Sequence, residues 1–387
     1  MPIINRAAEL QAEATEWRRH LHQHPEILYD VHETAAFVTA RLHEFGVDEI
    51  VGGIGGTGVV GIIRGRGPGE RTIGLRADMD ALPLEEMTGK PWSSKISGRM
   101  HACGHDGHTA MLLGAAKYLA ETRNFNGAIA VIFQPAEEGG AGALAMIQDG
   151  LMERFRIDEV YGMHNMPGVP IGQFAIRRGA IMAAPDKFAI TVRGRGGHAA
   201  QPHRTIDPIL VGTQIVGSLQ AIAARNADPL ASVVVSVTRF QAGTTHNIIP
   251  DCAELGGTVR SLNEEVRDLA EQRIRQIVAG ITLAHDANAE IHYERNCPVT
   301  INHDGETGHA ARAASDVVGT ANLDLEVDPS MAGEDFAYML RSRPGAFIFI
   351  GNGDSAPLHN PAYDFSDEAI AYGISYWVRL AEQRLAD

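Results

Sequence analysis

Three times in the first half of this chain a β-branched run ends and a side chain able to hold a metal or a proton follows it. Asp78 comes after the run 72–76, Glu137 and Glu138 after 128–133, and His164 after 159–163. Segments with helical spacing of apolar residues precede these runs at 8–22 and 34–45 and fall between them at 109–121, and a further strand is expected over 59–64. This alternation is the pattern of an α/β fold. In open α/β sheets ligands collect beyond the carboxyl ends of the strands, so the recurrence predicts one shared site at that end of the sheet.

From about Asp186 the pattern changes to strand 188–193, helix 207–226, strands 231–240 and 252–260, helix 263–287 and strand 289–295. That order is βαββαβ. After Pro298 the α/β character returns with helix 307–318, strand 346–350 and a closing helix 367–386. The expected architecture is α/β, a discontinuous catalytic domain of residues 1–185 and 297–387 around a mixed central sheet. A ferredoxin-like βαββαβ domain of residues 186–296 is inserted in it.

A chain of 387 residues, 44% hydrophobic, can bury a full core. Its 33 Lys and Arg against 48 Asp and Glu give a net charge of −15, which argues against binding to nucleic acid by counterion release. Three cysteines form no even framework and suit a reducing compartment. The N-terminus lacks a basic-then-apolar leader, and no apolar run approaches the ~20 residues of a membrane span. The expectation is a cytoplasmic protein with no membrane partner.

The densest chemistry is His101-Ala102-Cys103-Gly104-His105-Asp106-Gly107-His108. Cys103 and His105 are too close for one helix face but suit a turn presenting both to one ion. A cysteine alone would read as a small buried hydrophobe; three neighbouring histidines shift the reading to ligation. Asp106 reads as a cap of the helix over 109–121, and His101 and His108 as groups behind the ligands. In an extended segment Glu137 and Glu138 point apart, one able to hold a metal and the other to take a proton from water that the metal acidifies. Spacing does not say which does which. A solvated acidic loop is the blander alternative, against which Gln134-Pro135 and Gly139-Gly140 argue for a shaped loop.

His164 and His359 each follow an apolar strand, where a lone histidine is as often a core residue as a ligand; their case rests on company. His198 sits at the tip of Gly194-Arg195-Gly196-Gly197, otherwise a surface loop. Asn247 and Arg260 could offer an amide and a guanidinium to a carboxylate, the alternative for Arg260 being an exposed salt bridge. Gly53-Ile54-Gly55-Gly56-Thr57-Gly58 has the letters of a dinucleotide fingerprint but leads into a strand rather than a helix, so it reads as a turn.

Taken together, these motifs resemble the aminoacylase and carboxypeptidase type of two-metal amidohydrolases, in the branch of hippurate hydrolase, N-acyl-amino-acid amidohydrolases and plant auxin-conjugate hydrolases. The resemblance runs in order through Trp17-Arg18-Arg19-His20, His24-Pro25-Glu26, Arg76-Ala77-Asp78-Met79-Asp80, His101 to Asp106, Gln134 to Gly140, Gly162-Met163-His164, Gly197-His198, Gly333-Glu334-Asp335 and Leu358-His359-Asn360-Pro361. It implies two divalent ions, zinc, manganese, nickel or cobalt, held by Cys103, His105, Glu138, His164 and His359, with the sulfur bridging and Glu137 as general base. Where the wider family has a His and an Asp, this chain has Arg76 and Cys103 and follows the cysteine-bearing branch.

Asp78 lies where the family keeps an acid that orients a ligand. The inserted domain resembles a lid and dimerisation domain, whose counterpart of His198 acts in the partner subunit of a homodimer, the alternative assembly being a homotetramer of paired dimers. Asn247 and Arg260 resemble contacts to substrate carbonyl and carboxylate. The implied reaction is hydrolysis of an N-acyl amino acid. The alternatives are a dipeptidase or carboxypeptidase, an N-acetyl-diaminopimelate deacetylase, and a non-catalytic metal-dependent peptide-binding protein, which would have no use for Glu137.

Overall fold

The β-branched runs of the first third and the last quarter of the chain pair into one mixed sheet. The computed structural model describes residues 3–386. In chain order these form α1 (Asn5–Gln23), α2 (His32–Glu44), β1 (Glu49–Ile54), β2 (Gly58–Arg64), β3 (Gly67–Asp78), α3 (His105–Thr122), β4 (Asn126–Gln134), α4 (Gly142–Gln148), α5 (Leu151–Arg154), β5 (Glu159–Met166), β6 (Phe174–Ala175) and β7 (Gly179–Met182). Then come β8 (Ala184–Arg193), β9 (Gly197–His198), α6 (Pro208–Leu219), β10 (Val233–Ala242), β11 (Ile248–Ile249), β12 (Cys252–Ser261), α7 (Glu264–Ala284) and β13 (Asn288–Arg295). The chain closes with β14 (Thr300–Asn302), α8 (Asp304–Val318), β15 (Leu323–Asp324), α9 (Ala337–Ser342), β16 (Gly345–Gly351) and α10 (Ile370–Arg384).

The first compact unit comprises the chain up to Ile181, Ile301–Asp328 and the residues from Asp335 onward. Its sheet has the order β1-β2-β4-β3-β5-β16-β6-β15. The inner strands β4, β3, β5 and β16 run parallel, while β1, β2 and β4 pair antiparallel. Every residue of β16 is buried, as expected of a parallel strand covered on both faces. Helices α1, α3 and α10 pack on one another, and Trp377, Tyr376, Tyr161 and Phe133 fill the core, each large apolar side chain contributing roughly 1.5–3 kcal/mol by burial. The glycines of the fingerprint-like segment form the turn between β1 and β2, with Gly53, Gly55 and Gly56 at positive φ.

Helix α3 begins at His105, four residues before the start expected from the apolar pattern. Asp106 is therefore not its cap, as the sequence suggested. The N-cap is Gly104, with no side-chain hydrogen bond, and Asp106 lies in the first turn, where its Oδ2 is 2.8 Å from His22 Nδ1 and 3.7 Å from the Arg18 guanidinium. Arg18, wholly buried, also reaches Asp367 at 2.6 Å, and His22 Nε2 lies 3.3 Å from Glu86. The Trp17-Arg18-Arg19-His20 segment thus braces the start of α3 from behind.

The second unit is Met182–Thr300 with Pro329–Glu334. The division expected from the sequence left 182–185, 297–300 and 329–334 in the other domain; residues 329–334 group with the second unit through Met182, which bridges to Ser330, and Ala183, whose N–H donates to the carbonyls of Ser330 and Ala332. The strand order β10-β12-β8-β13, all antiparallel, with α6 and α7 between strands, is the βαββαβ sandwich. Side chains of β8 alternate between buried and half-exposed, and Phe188, Ile190, Leu255, Ile215 and Ile274 share the core with the helices. Asn263 caps α7 by accepting from the N–H groups of Glu265 and Val266. Helix α6 stops at Leu219 rather than running to 226, and a wider π turn, Ile222–Asn226, completes the expected segment.

Two expectations follow from these buried charges. In the second unit Asp186 accepts from Arg267, Tyr293 and Asn296; Asp186→Ala strands a buried guanidinium and should cost about 3–5 kcal/mol in urea unfolding, whereas a loss under about 1 kcal/mol would contradict this role. In the first, burial disfavours a charge on His22, but Asp106 and Glu86 overcome it and raise its pKa from 6.5 to about 9. The folded state therefore binds the proton more tightly, and its stabilising contribution is complete below about pH 6.5 and lost as pH rises through 9. Thermal unfolding should show this loss in the parent protein, and His22→Gln should flatten that part of the profile.

Candidate metal centre

Strand register brings the chemistry to one level. Asp78, the last residue of β3, pairs with Gln134 at the end of β4, and His164 in β5 pairs with Phe349 in β16. Arg76 pairs with Gly162, so Asp78 and His164 are each two residues further along adjacent parallel strands. Glu137 and Glu138 lie just past β4, Cys103 and His105 at the entry to α3, and His359 in the loop after β16. Gly104, between the two ligand candidates, has φ +92°, and a Cβ there would come within 2.3 Å of Asn165 Nδ2 and 2.6 Å of Tyr363 Oη. Only glycine permits this turn, which presents Cys103 and His105 together.

Cys103, His105 and His164 offer ligand atoms within 4.8 Å of one another. So do Cys103, Glu138 and His359, and so do His105, Glu137 and Glu138. Cys103 Sγ is 3.4 Å from His164 Nε2, and His359 Nε2 is 3.2 Å from Glu138 Oε1. The cysteine belongs to two of these groups and joins them.

The second nitrogens of the buried imidazoles are tied to carbonyls, His105 Nδ1 to Asp80 O at 2.8 Å and His164 Nδ1 to Asn165 O at 2.7 Å. That fixes both Nε2 atoms inward, as metal-ligating histidines are commonly held. Buried His105 Nε2 makes no hydrogen bond among the described residues. A thiol, imidazoles with one orphaned buried nitrogen and a carboxylate fit a transition-metal pair.

The electrostatics point the same way. Burial opposes a charge on His105, yet Asp78, Asp80 and Glu138 raise its pKa to about 10. Burial raises the Cys103 thiol well above its ordinary range, and Glu138, Glu137 and Asp78 add to the shift. This surplus of negative charge favours a cation, which would convert the thiol to a ligand thiolate.

Asp78 does not point into this group alone. Its Oδ1 is 2.6 Å from His108 Nδ1, its Oδ2 accepts from Arg76 at 2.7 Å, and His105 Nε2 lies 3.7 Å away. His108 Nε2 in turn accepts from the backbone N–H of Asn165, so both its nitrogens are engaged. His101 makes no hydrogen bond among the described residues, and burial lowers its pKa to about 3. It is a neutral buried ring rather than a partner of a ligand.

Glu137 and Glu138 are not in an extended segment, as the sequence suggested. Ala136 takes φ +54° and the pair opens a turn closed by Gly139 N–H on Glu137 O. Sequence reasoning assigned no role to Asp80, whose carboxylate accepts both glutamate amides, or to Asp335, whose N–H reaches Glu137 Oε1 at 3.4 Å. The Asp335 carboxylate accepts from Arg76, Gln134 and the N–H of Ala143. The signal was the run of acids in Asp78-Met79-Asp80 and Glu334-Asp335, with nothing to assign them a direction.

His198, Asn247 and Arg260 belong to the second unit. His198 and Asn247 are neighbours: β9 pairs with β11 so that His198 faces Ile248, and Ala199 N–H donates to Asn247 O at 3.1 Å. His198 and Asn247 are exposed, while Arg260 is half-buried on β12 and pairs with Val234 and Pro185.

Residues 74–383 match the profile of Peptidase family M20/M25/M40. A hippurate hydrolase of Campylobacter jejuni is 45% identical over 98% of this chain and 99% of its own. An N-acetyl-L-cysteine deacetylase of Bacillus subtilis is 42% identical over 96% of this chain and 87% of its own. Among solved structures, a dinuclear metal binding peptidase of the M20 family from Bacillus subtilis superimposes with a TM-score of 0.85 at 35% identity, covering 98% of this chain and 99% of that one.

Proposed function

Because the chain belongs to peptidase family M20/M25/M40, we propose that it is a metal-dependent amidohydrolase that converts N-acyl amino acids to a carboxylic acid and a free amino acid. The observation that carries the reading is Glu137 standing beside a cysteine, imidazole and carboxylate group that fits two ions. Cys103, His105, Glu138, His164 and His359 would hold them, with Cys103 shared, since it alone belongs to both the His164 and the His359 groups. Bound there, divalent ions supply Lewis acidity toward a carbonyl and acidify water. The sulfur and nitrogen donors favour zinc or nickel over manganese.

Glu137 takes the proton from the attacking water as oxygen adds to the acyl carbon. The C–N bond then breaks, and Glu137 returns the proton to the departing amine. His198, contributed by a partner subunit, donates to the carbonyl oxygen as it gains charge, and Asn247 and Arg260 hold the substrate carbonyl and carboxylate. Asp78, fixed by Arg76 and His108, places its charge 3.7 Å from His105 Nε2 and favours a cation beside that nitrogen. Among the described residues no helix is long and apolar enough to cross a membrane. The three cysteines are free, which supports a reducing compartment, and we place the reaction in the cytoplasm on that ground.

A carboxypeptidase of Saccharolobus solfataricus that is 40% identical over 96% of this chain supports a second reading, cleavage of a C-terminal residue from a peptide. A panel of hippurate, N-acetyl amino acids, N-acetyl-diaminopimelate and dipeptides decides between them. N-acyl amino acids should be hydrolysed best, and chelator should abolish turnover. Glu137→Gln should keep its ions by elemental analysis while kcat falls about 10²–10⁴-fold; unchanged kcat would remove Glu137 as the base.

Two inactive variants should also rescue one another. In a mixture of Glu137→Gln and His198→Ala, half of the dimers are mixed and one of their two sites is intact, restoring about a quarter of parental activity if His198 acts across the dimer. No recovery in dimers shown to exchange subunits would place His198 outside the partner's site.

A further inference from the structure

We infer that Asp80 is a positioning residue for the centre, holding the adjacent glutamates in their separate tasks. The inference rests on the roles proposed above for Glu137 and Glu138. Asp80 is 1% exposed, and its two carboxylate oxygens divide between successive amides, Oδ1 accepting from Glu137 N–H at 3.0 Å and Oδ2 from Glu138 N–H at 3.1 Å. In a turn opened by Ala136 at φ +54°, the alternation of an extended strand is not there to separate two neighbouring side chains. The carboxylate replaces it by fixing the two amide planes from which the side chains depart.

Asp80 is itself immobile. Met79 N–H donates to Gln134 O at 2.8 Å and Ala81 N–H to Glu26 O at 2.7 Å, so backbone bonds pin the residues on both sides. The same residue's main-chain carbonyl accepts from His105 Nδ1 at 2.8 Å, which leaves Nε2 free to face inward. One buried residue therefore sets the direction of three groups at the centre, two through its side chain and one through its backbone. A side-chain substitution releases the first two and leaves the carbonyl bond to His105 in place, removing from that ring only the more distant Oδ1 at 3.6 Å from Nδ1.

This separation makes the role testable. Asp80→Asn retains one good acceptor and turns an amide donor toward an N–H group; Asp80→Glu keeps the charge but displaces it by a methylene. Both should lower kcat on hippurate about 10–100-fold at saturating metal, with KM within about threefold, and weaken cobalt(II) binding in chelator competition by about 10–100-fold.

Asn263→Ala is the matched control, because the Asn263 side chain also accepts two successive amides, those of Glu265 and Val266 at the start of α7. It should lower the unfolding temperature and leave kcat and cobalt affinity alone. Parental kcat and cobalt affinity in folded Asp80 variants, or losses in Asp80→Asn that Asp80→Glu restores, would overturn the inference. A parent that binds cobalt but hydrolyses no member of the substrate panel would instead count against the amidohydrolase reading, and the cobalt arm would still judge Asp80.

Discussion

Crowded negative charge at the ends of four parallel strands governs this molecule. Asp78, Asp80, Glu137, Glu138 and Asp335 are brought within a few side-chain lengths of one another, and carboxylates so placed repel strongly where water is excluded. The fold answers the charge on one side with protein. Buried Arg76 ties Asp78 to Asp335 and Gln134, and His108 takes the other oxygen of Asp78. On the side of Cys103, His105 and Glu138 no fixed guanidinium or ammonium is paired among the described residues, and a buried imidazole is driven up to about 10 instead. That asymmetry makes the second side a receptor for cations, and the sulfur, nitrogen and oxygen donors there narrow which cations suit it.

Holding such a centre open requires rigid surroundings, and the braces come from remote stretches of sequence. Arg18 and His22 on α1 grip Asp106 in the first turn of α3, while Asp364 and Asp367 from the last thirty residues complete the network around Arg18. Asn165 links three parts of the site at once: it donates to Cys103 O, its N–H reaches His108, and its side-chain oxygen accepts from Tyr363. Each bond is ordinary. Together they hold the Cys103-Gly104-His105 turn against both β5 and the C-terminal segment, so the sulfur and the imidazole cannot swing away from each other.

Much of this was legible in the amino-acid sequence because strand ends are loud signals. Apolar β-branched runs followed by acids or histidines gave the α/β class and the level at which Asp78, Glu137, Glu138 and His164 would lie, and the change of rhythm after Asp186 gave the βαββαβ order. What stayed hidden depended on backbone conformations that periodicity does not encode. Asp106 looked like a helix cap because the apolar pattern of α3 begins late, yet the helix starts at His105 behind a left-handed glycine. The glutamate pair looked extended because nothing in Pro135-Ala136 announces a positive φ at alanine. Asp80 and Asp335 were visible as letters, but their work is done on backbone amides of distant residues, and only three-dimensional register reveals those partners.

The tandem glutamates show why such residues matter to chemistry rather than to folding alone. A metal ligand must stay put, whereas a base must reach toward water and then toward a leaving amine, and adjacent residues on a flexible turn would interchange these tasks. Here Glu138 is drawn toward His359, and burial's pressure to neutralise it is outweighed by His359 and His105, so its carboxyl is held below the ordinary range. Glu137 is met from a different direction by the N–H of Asp335, whose carboxylate is locked by Arg76, Gln134 and Ala143. The same guanidinium that neutralises one side of the centre therefore also fixes the donor that faces Glu137. Charge balance and catalytic geometry are, in this unit, one set of hydrogen bonds, and altering either without the other would require rebuilding the ends of β3 and β4 together.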